Sequence, residues 1–359
     1  MNYSLYSKIL GTGSYIPERN IKNIDFSDHT FYDENGSIID KSNDEIIDKF
    51  NKITTINERK HINNDQLNSD IAYLAAESAL KSSDFNPEEL DYIIVAHNFG
   101  DIKQDIKRVD TVPSIAARVK YKLKIKNPFT VAYDLIFGCP GWLQAVIQAN
   151  YFIKSGDAKN ILIIGSDVLS RVSDPHDRDS MLYADGAGAV ILQAIESETP
   201  TGILSHLTRT DTLIHSKMLH MDISYNKELQ DNNFFLKMNG RKLYQYALET
   251  VPETIRQCLN KCDTHLSEIK KVLIHQANGK MDESILMRLY KLYGITKMPE
   301  DIMPMTIGWL GNSSVATLPT LLDLILKGKL QGHNINKGDK VLFASVGAGM
   351  SINAVVYKM

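Results

Sequence analysis

FGCPGWLQAVIQANYFIKSG, at residues 137–156, places a Gly-Cys-Pro-Gly turn directly before an amphipathic pattern of helical period. Proline is favoured at the first helical position, where its missing N–H loses no hydrogen bond, so Pro140 predicts that Cys139 is the N-cap. A helix N-terminus offers free backbone donors and positive dipole charge, which favour a thiolate over a thiol. Cys139 is therefore a candidate nucleophile, although a single cysteine is more often a buried structural residue.

Two later segments carry polar residues that suit a reaction at this cysteine. VLIHQANGK at 272–280 has the pattern of a buried strand that ends in His275, where ligand sites of α/β sheets gather. GWLGNSSVATLPTLLDLIL at 308–326 places Asn312 in a glycine-containing turn before another helical pattern. With Cys139 they would supply a nucleophile, an imidazole and a neutral amide donor. For either residue alone, a core histidine or a turn asparagine is the commoner case.

Short apolar runs alternate with helical patterns along the chain, which predicts α/β architecture with buried sheets. NPEELDYIIVAHN at 86–98 is similar to HLSEIKKVLIHQAN at 265–278, because each has an acidic turn followed by a buried strand that ends in a histidine. NILIIGSD at 160–167 and KVLFASVGAG at 340–349 form a second such pair. The pairs indicate an internal duplication, although βα units of any large protein resemble one another.

The duplication predicts two halves, residues 1–195 and 196–359, that meet near the sequence SETPTG. The first half would carry Cys139, and the second would carry His275 and Asn312. We therefore expect the site to lie where the two halves face each other.

Composition excludes several classes of function. The 359 residues, 43% of them apolar, can bury a large core, and a net charge of -3 predicts no nucleic-acid partner. Three cysteines give no disulfide framework, which predicts a reducing, cytoplasmic setting. The sequence contains no run of 18 apolar residues, so no membrane span is expected. Cys258, Cys262 and His265 have helical spacing and could touch one metal, but an ordinary helix face explains them better, so no metal site is expected.

The motifs, taken in order, resemble those of the beta-ketoacyl-acyl-carrier-protein synthase III family of thiolase-fold condensing enzymes. The matching segments are GTGSYIPE at 11–18, INERKH at 56–61, DYIIVA at 91–96, the Cys139 turn, GSDVLSR at 165–171, YADGAGAV at 183–190, MNGRKLY at 238–244, HQAN at 275–278, GNSS at 311–314 and GAG at 347–349. The resemblance implies a thiolase-like duplicated fold, in which two similar βα halves form a layered αβαβα architecture.

The resemblance also implies a decarboxylative Claisen condensation. Cys139 would accept an acyl group from acyl-CoA or an acyl carrier protein, and His275 and Asn312 would stabilise the enolate formed from malonyl-acyl-carrier-protein. The N–H groups of Cys139 and Gly349 match the family's oxyanion hole. The resemblance implies acyl carrier protein as a partner, a homodimer, and no cofactor beyond the thioester substrates.

Further residues match substrate-binding positions of the family. Arg171 and Lys280 match basic positions near the tunnel mouth or the carrier docking surface, and Gly240 and Arg241 match a loop beside the pantetheine arm. Val112 stands where the family has an aromatic residue that helps to shape the acyl tunnel, partly across the dimer interface. We therefore expect a longer or wider tunnel.

Two enlarged segments depart from the family pattern. The segment 25–59 is longer than usual and lacks the aromatic residue that stacks on a nucleotide base, since Ile46 and Phe50 are poor substitutes. The polar loop 100–114 is also enlarged. These departures predict a specialised paralogue, of the alkylresorcinol or polyketide type, that accepts longer or carrier-bound donors.

Three alternatives stay open at the level of sequence. A thioester acyltransferase of the same fold would use the same cysteine without condensation. A non-catalytic scaffold that binds carrier protein would be expected to lose one of Cys139, His275 and Asn312, and none is lost. A papain-like thiol hydrolase also has cysteine, histidine and asparagine in this order, but its cysteine signature differs from FGCPGW.

Overall fold

The computed structural model describes residues 4–229 and 233–359. The strands are β1 (Ser4–Tyr15), β2 (Arg19–Lys22), β3 (Glu58–His61), β4 (Tyr92–Ala96), β5 (Asp101–Ile102), β6 (Val109–Asp110), β7 (Val131–Leu135), β8 (Asn160–Val168), β9 (Asp185–Ser197), β10 (Gly202–Thr210), β11 (Leu219–Asp222), β12 (Phe235–Met238), β13 (Ile269–Ile274), β14 (Lys340–Gly347) and β15 (Ser351–Lys358). The α-helices are α1 (Asn43–Thr54), α2 (Asn68–Ser82), α3 (Ile115–Lys122), α4 (Gly141–Ser155), α5 (Thr212–His215), α6 (Gly240–Asn260), α7 (Gly279–Leu292), α8 (Ile307–Leu310) and α9 (Thr317–Leu326).

Two mixed sheets repeat one pattern of strands. The first has the order β1-β9-β8-β4-β7, and the second has the order β10-β15-β14-β13. In each sheet two antiparallel pairs are followed by a parallel pair, β8 with β4 in the first and β14 with β13 in the second. The segment pairs that the sequence matched therefore occupy equivalent places in the two sheets. The division into halves at residue 195 stays a prediction, and β9 continues to Ser197.

The helices form three layers around the sheets. Helices α2 and α3 cover the outer face of the first sheet, and α6 and α7 cover the outer face of the second. Helices α4 and α9 lie between the sheets and pack against both. This arrangement confirms the layered αβαβα architecture. Among the described residues, no helix combines the length and the apolar content that a membrane span requires.

Helix α9 shows why the sequence places it in the central layer. Its residues TLPTLLDLIL are apolar on nearly every side, which is typical of a helix buried between two sheets. Its one carboxylate, Asp323, accepts hydrogen bonds from Thr12 at 2.7 Å and Ser14 at 2.6 Å. These bonds and an ion pair with Lys327 offset the cost of burying a charge.

The enlarged segment 25–59 folds as an ordered cover beside the second sheet's helices. Arg59 is fully buried, donates to the Ile21 carbonyl and to Asn23 Oδ1, and lies over the ring of Phe26 at 5.0 Å. Helix α1 contacts α7 within this cover. The segment is therefore an integral wall of the molecule.

Candidate active site

Cys139, His275 and Asn312 line one pocket of about 80 Å³. Its remaining wall is mostly apolar and includes Phe99 and Leu243. The residues come from three different elements, the turn before α4, the end of β13 and the turn after α8. The three residue types singled out by sequence thus meet around a space that can hold a small apolar group.

Close backbone contacts position Cys139. Gly138 has φ of +66°, and a Cβ added there would lie 2.8 Å from the Ala348 nitrogen. A Cβ added to Gly347 would lie 2.6 Å from the Cys139 nitrogen. Two glycines therefore allow the loop after β14 to pass directly against the cysteine turn. The predicted helix start is wrong by one residue, because Pro140 is the N-cap and Gly141 begins the helix.

Burial opposes ionisation of the cysteine. It raises the pKa of the Cys139 thiol to about 11, although the Ser314 hydroxyl acts to lower that pKa. The negative charge of Asp167 raises the pKa further. The resting side chain at neutral pH is therefore a thiol, and the favourable helix terminus inferred from sequence does not outweigh desolvation.

His275 is held as a neutral imidazole. The backbone N–H of His275 donates to the Ala344 carbonyl at 2.9 Å, which continues the pairing of β13 with β14 past the end of the strand. Only 2% of the residue is exposed, and burial lowers its pKa to about 4. Its Nδ1 has no hydrogen-bond partner among the described residues. At neutral pH this imidazole can donate one hydrogen bond and accept another.

The turn after α8 fixes the orientation of Asn312. Its backbone N–H donates to the Leu182 carbonyl at 2.9 Å, and its carbonyl accepts from Ala184 N–H at 2.8 Å. Its side-chain Oδ1 accepts from the Ser314 N–H at 2.9 Å. Because the amide oxygen is occupied, the NH₂ group is the part of this side chain that can serve a ligand.

A second pocket of about 1130 Å³ adjoins the first. The residues that line both pockets are Met238, Leu243, Ala277, Met281 and Asn312. The larger pocket is also lined by Gly240 and Arg241, by Ile46 and Phe50 of the enlarged segment 25–59, and by Arg178. It forms a broad approach from the surface towards Cys139.

Three predicted binding residues lie outside both pockets. Arg171 is 3% exposed and donates to the Asn63, Asn64 and Gln66 carbonyls, so it anchors a loop and is too buried to lie on a docking surface. Its place near the tunnel mouth stays a prediction. Val112 is 84% exposed and lines neither pocket of this chain, so its role in shaping the acyl tunnel, partly across the dimer interface, stays a prediction. Lys280 is exposed on α7 beside Glu283 at 3.4 Å.

The loop after β14 contributes Ala348 to the pocket, and the oxyanion-hole role of the Gly349 N–H stays a prediction. Ala348 lines the pocket with Cys139, whereas Gly349 is not among the lining residues. Sequence reasoning also missed Asn98 and Ser314, which line the same pocket. Both stand inside motifs already quoted, DYIIVAHN and GNSS, but nothing in the sequence separates them from their neighbours.

The alternative metal residues have other partners. Cys258 is buried, and its Sγ lies 3.4 Å from Ser205 Oγ. Cys262 Sγ lies 3.3 Å from the same hydroxyl. His265 lies 2.7 Å from Ser267 Oγ. The described residues hold no group of three His, Cys, Asp or Glu side chains arranged around a metal position.

Comparisons with known proteins agree on one family. The model for 3-oxoacyl-[acyl-carrier-protein] synthase III matches residues 133–212, and the model for the C-terminal part of that synthase matches residues 259–359. A beta-ketoacyl-[acyl-carrier-protein] synthase III of Ehrlichia ruminantium is 32% identical over 355 residues, covering 98% of this chain and 99% of that protein.

Solved structures show the same fold over nearly the whole chain. A 3-oxoacyl-[acyl-carrier-protein] synthase III from Aquifex aeolicus has a TM-score of 0.79 at 30% identity, covering 98% of this chain and 100% of its own. A priming beta-ketosynthase of a polyketide pathway has a TM-score of 0.80 at 24% identity, covering 99% of this chain and 96% of its own. The second likeness shows the fold alone.

Proposed function

The chain belongs to the beta-ketoacyl-[acyl-carrier-protein] synthase III family of thiolase-fold condensing acyltransferases, and we propose that Cys139, His275 and Asn312 carry its reaction. The observation that supports this assignment is that the three side chains line one pocket, although they lie far apart in sequence. A beta-ketoacyl synthase of fatty acid or related lipid biosynthesis needs these three functions at one point in space.

Acylation of Cys139 is the first step. The sulfur forms a bond to the carbonyl carbon of an acyl thioester, the bond from that carbon to the carrier sulfur breaks, and the cysteine proton leaves with the carrier thiol. The pKa of about 11 for Cys139 and of about 4 for His275 are about 7 pH units apart. Burial disfavours the charged form of each group, so the resting pair is a neutral thiol and a neutral imidazole. Proton loss therefore accompanies attack.

Decarboxylation of the malonyl thioester is the second step. Neutral His275 and the Asn312 NH₂ group donate hydrogen bonds to its thioester carbonyl, which stabilises the enolate as the carboxylate leaves as CO₂. The enolate carbon attacks the acyl carbon on Cys139, and the bond to sulfur breaks. The products are a β-ketoacyl thioester on the carrier and a cysteine that regains its proton.

Two backbone N–H groups are proposed to hold the oxyanion of each tetrahedral intermediate. One belongs to Cys139, and the other belongs to Ala348 in place of Gly349, because Ala348 lines the pocket. Loss of one such donor typically costs about 100- to 1,000-fold in rate. Side chains, backbone N–H groups and the thioester substrates supply the whole proposed reaction, so we assign it no cofactor.

The dimensions of the pocket support a short donor acyl group. An apolar cavity of about 150 Å³ holds a benzene molecule, and the pocket at Cys139 measures about 80 Å³. It has room for a few carbons. We therefore propose a short-chain donor for this chain, in place of the longer donors inferred from Val112.

The charges around the larger pocket support a carrier-bound donor. Its carboxylates are Asp33, Glu34, Asp40, Asp177 and Asp179, and its cations are Lys41, Lys49, Arg178 and Arg241. Because the lining carries both signs of charge, it attracts the phosphates of coenzyme A only weakly. A neutral pantetheine arm does not depend on such an attraction. We propose acyl carrier protein as the partner, in a cytoplasmic homodimer, with Gly240 and Arg241 beside the arm and Lys280 on the docking surface.

Intact-mass spectrometry tests the nucleophile. The protein is incubated with acetyl, butyryl and octanoyl thioesters of both coenzyme A and carrier protein, and condensation is assayed with malonyl-carrier protein. Cys139→Ala should give no acyl adduct and should lower condensation at least about 10,000-fold, because it removes the nucleophile. The matched control Cys262→Ala removes a half-buried cysteine elsewhere and should keep the adduct. An adduct that persists in Cys139→Ala would contradict the assignment.

The same panel tests the donor. We expect acetyl and butyryl adducts to form faster than octanoyl adducts, and carrier-bound donors to react faster than coenzyme A donors at equal concentration. A preference for octanoyl thioesters would overturn the short-chain proposal without touching the role of Cys139.

A further inference from the structure

A chain of three hydrogen bonds leads away from the sulfur of Cys139 into the first sheet. Ser314 Oγ lies 3.4 Å from Cys139 Sγ. Asn98 Nδ2 lies 3.1 Å from Ser314 Oγ and 2.6 Å from Asp167 Oδ2. The Asn98 backbone N–H also donates to Asp167 Oδ1, at 2.9 Å. Asp167 is fully buried on β8, and the proposed reaction gives none of the three residues a role.

The donors and acceptors of this chain can be assigned starting from the carboxylate. A carboxylate accepts hydrogen bonds, so the Asn98 amide must turn its NH₂ group towards Asp167. The second hydrogen of that NH₂ group goes to Ser314 Oγ, which becomes an acceptor. The hydroxyl hydrogen of Ser314 is then directed to the sulfur of Cys139, with Asp167 as the competing acceptor.

A hydroxyl that donates to sulfur stabilises the thiolate more than the thiol, because the charged form is the stronger acceptor. The titratable groups around the sulfur are Asp167, Tyr183 and His275. Asp167 raises the pKa of the cysteine, and His275 is neutral at neutral pH. Ser314 is thus the side chain that acts in the favourable direction on a thiol whose burial opposes ionisation.

The backbone of Ser314 also argues for a specific role. Its φ is +53°, in the left-handed region that side chains other than glycine rarely adopt. The strained turn lets its N–H donate to Asn312 Oδ1 while its hydroxyl reaches Cys139. Glycine would relieve the strain, but it would lose the hydroxyl, so the site retains a side chain at a conformational cost.

We propose that Ser314 is a further catalytic residue, whose hydroxyl donates to the Cys139 sulfur as negative charge develops on it, and that Asn98 and Asp167 are positioning residues that aim this hydroxyl. The proposal rests on the proposed role of Cys139 as nucleophile. The donation acts in both steps, because the sulfur carries charge as it attacks the donor and again as it leaves the product.

Alkylation of Cys139 by iodoacetamide, followed by mass spectrometry between pH 7 and pH 9, measures the thiolate without any substrate. Ser314→Ala should slow alkylation about tenfold at each pH and should slow acylation by a thioester about 10- to 100-fold, as loss of a hydrogen bond to a charged group predicts. The KM for malonyl-carrier protein should be unchanged. Ser314→Gly suits the positive φ and should give the same result if the alanine variant folds poorly.

Two further variants separate this role from a structural one. Ser313→Ala removes the neighbouring buried hydroxyl, which contacts Thr317 and not the cysteine, and should alkylate at the unaltered rate. Asn98→Ala should slow alkylation as Ser314→Ala does, and the double variant should be no slower than either single one, since both break one chain. Alkylation of a folded Ser314→Ala variant at the original rate would overturn the proposal. The role of Cys139 as nucleophile is tested separately, by the acyl adduct in intact-mass spectrometry.

Discussion

His97 and His275 end equivalent strands of the two sheets, and they have opposite surroundings. Each follows a strand that pairs in parallel with its neighbour, β4 with β8 and β13 with β14. Each is almost completely buried, with 1% and 2% of its surface exposed. Burial and position in the fold therefore do not distinguish them.

Their hydrogen bonds distinguish the two histidines. His97 Nε2 lies 2.9 Å from Asp134 Oδ2, and its Nδ1 accepts from the Gly100 N–H at 3.0 Å. The same carboxylate accepts from the N–H groups of Ile115 and Ala116 at the start of α3. His275 Nδ1 has no partner among the described residues. A buried polar atom without a partner costs stability, and His275 lines the pocket at Cys139 whereas His97 does not.

The largest expected effect is on catalysis, from the second histidine. His275→Ala should lower decarboxylation of malonyl-carrier protein by about 100- to 10,000-fold, because it removes a donor to the developing enolate. Acylation of Cys139 should fall less than tenfold. Both half-reactions are measured separately, by CO₂ release and by intact mass.

Asn312→Ala is the companion variant and should show the same asymmetry between half-reactions. Equal losses in acylation and decarboxylation would mean that the two residues activate the nucleophile or hold the fold, and the contrast with His97 would lose its functional meaning.

The contrast also explains what the sequence could predict. Strand-end position and the glycine-containing turns made Cys139, His275 and Asn312 candidates, and the resemblance to the family gave them their expected roles. The structure brings the three residues to one pocket. The chain from Cys139 to Asp167 was missed, since Ser314 and Asn98 are 216 residues apart and no local pattern joins them.

Arg171 shows the same limit from the other side. A basic residue in a family motif indicates a binding position, but only the fold reveals the backbone carbonyls of the loop 63–66 that surround its guanidinium. The N-cap was off by one residue, because the Pro140 carbonyl accepts from the Gln144 N–H and Gly141 is the first residue of the helix. Periodicity predicted α/β architecture with buried sheets, whereas the layered αβαβα arrangement was implied by the resemblance to the family and not by local pattern.

The next effect is on stability in acid. Burial lowers the pKa of His275 to about 4, against about 6.5 in an unfolded chain. Between these values the unfolded state binds a proton that the folded state does not, so stability falls as pH falls from about 6.5 towards 4. We expect the protein to lose about 2–3 kcal/mol more than His275→Gln between pH 7 and pH 4.5, measured by urea unfolding. Equal losses of stability in the two proteins would mean that the His275 imidazole takes up a proton as readily in the folded protein as in the unfolded chain.

A smaller loss of stability is expected from the first histidine. His97→Ala leaves the Gly100 N–H without its acceptor and removes one donor from Asp134. The free energy of unfolding at pH 7 should fall by about 2 kcal/mol, while condensation by the folded protein should fall less than tenfold. His275→Ala should show the reverse ranking of the two measurements. A large loss of activity with unchanged stability in His97→Ala would contradict the inference that His97 serves the fold and His275 serves the reaction.

The smallest effect is expected at the far end of the loop that follows His97. Val112 is 84% exposed and lines neither pocket, so in a single chain a larger side chain there meets only solvent. Val112→Phe should therefore change the relative kcat/KM of acetyl and octanoyl donors less than about twofold, which is under 0.5 kcal/mol. The matched variant Leu243→Phe changes a residue that lines both pockets and should disfavour octanoyl donors by about tenfold, because overpacking costs about 1–3 kcal/mol. A tenfold shift in Val112→Phe would mean that this loop reaches the pocket of a second copy of the chain. In that case the shift should disappear when the protein is assayed at concentrations below the dimer dissociation constant.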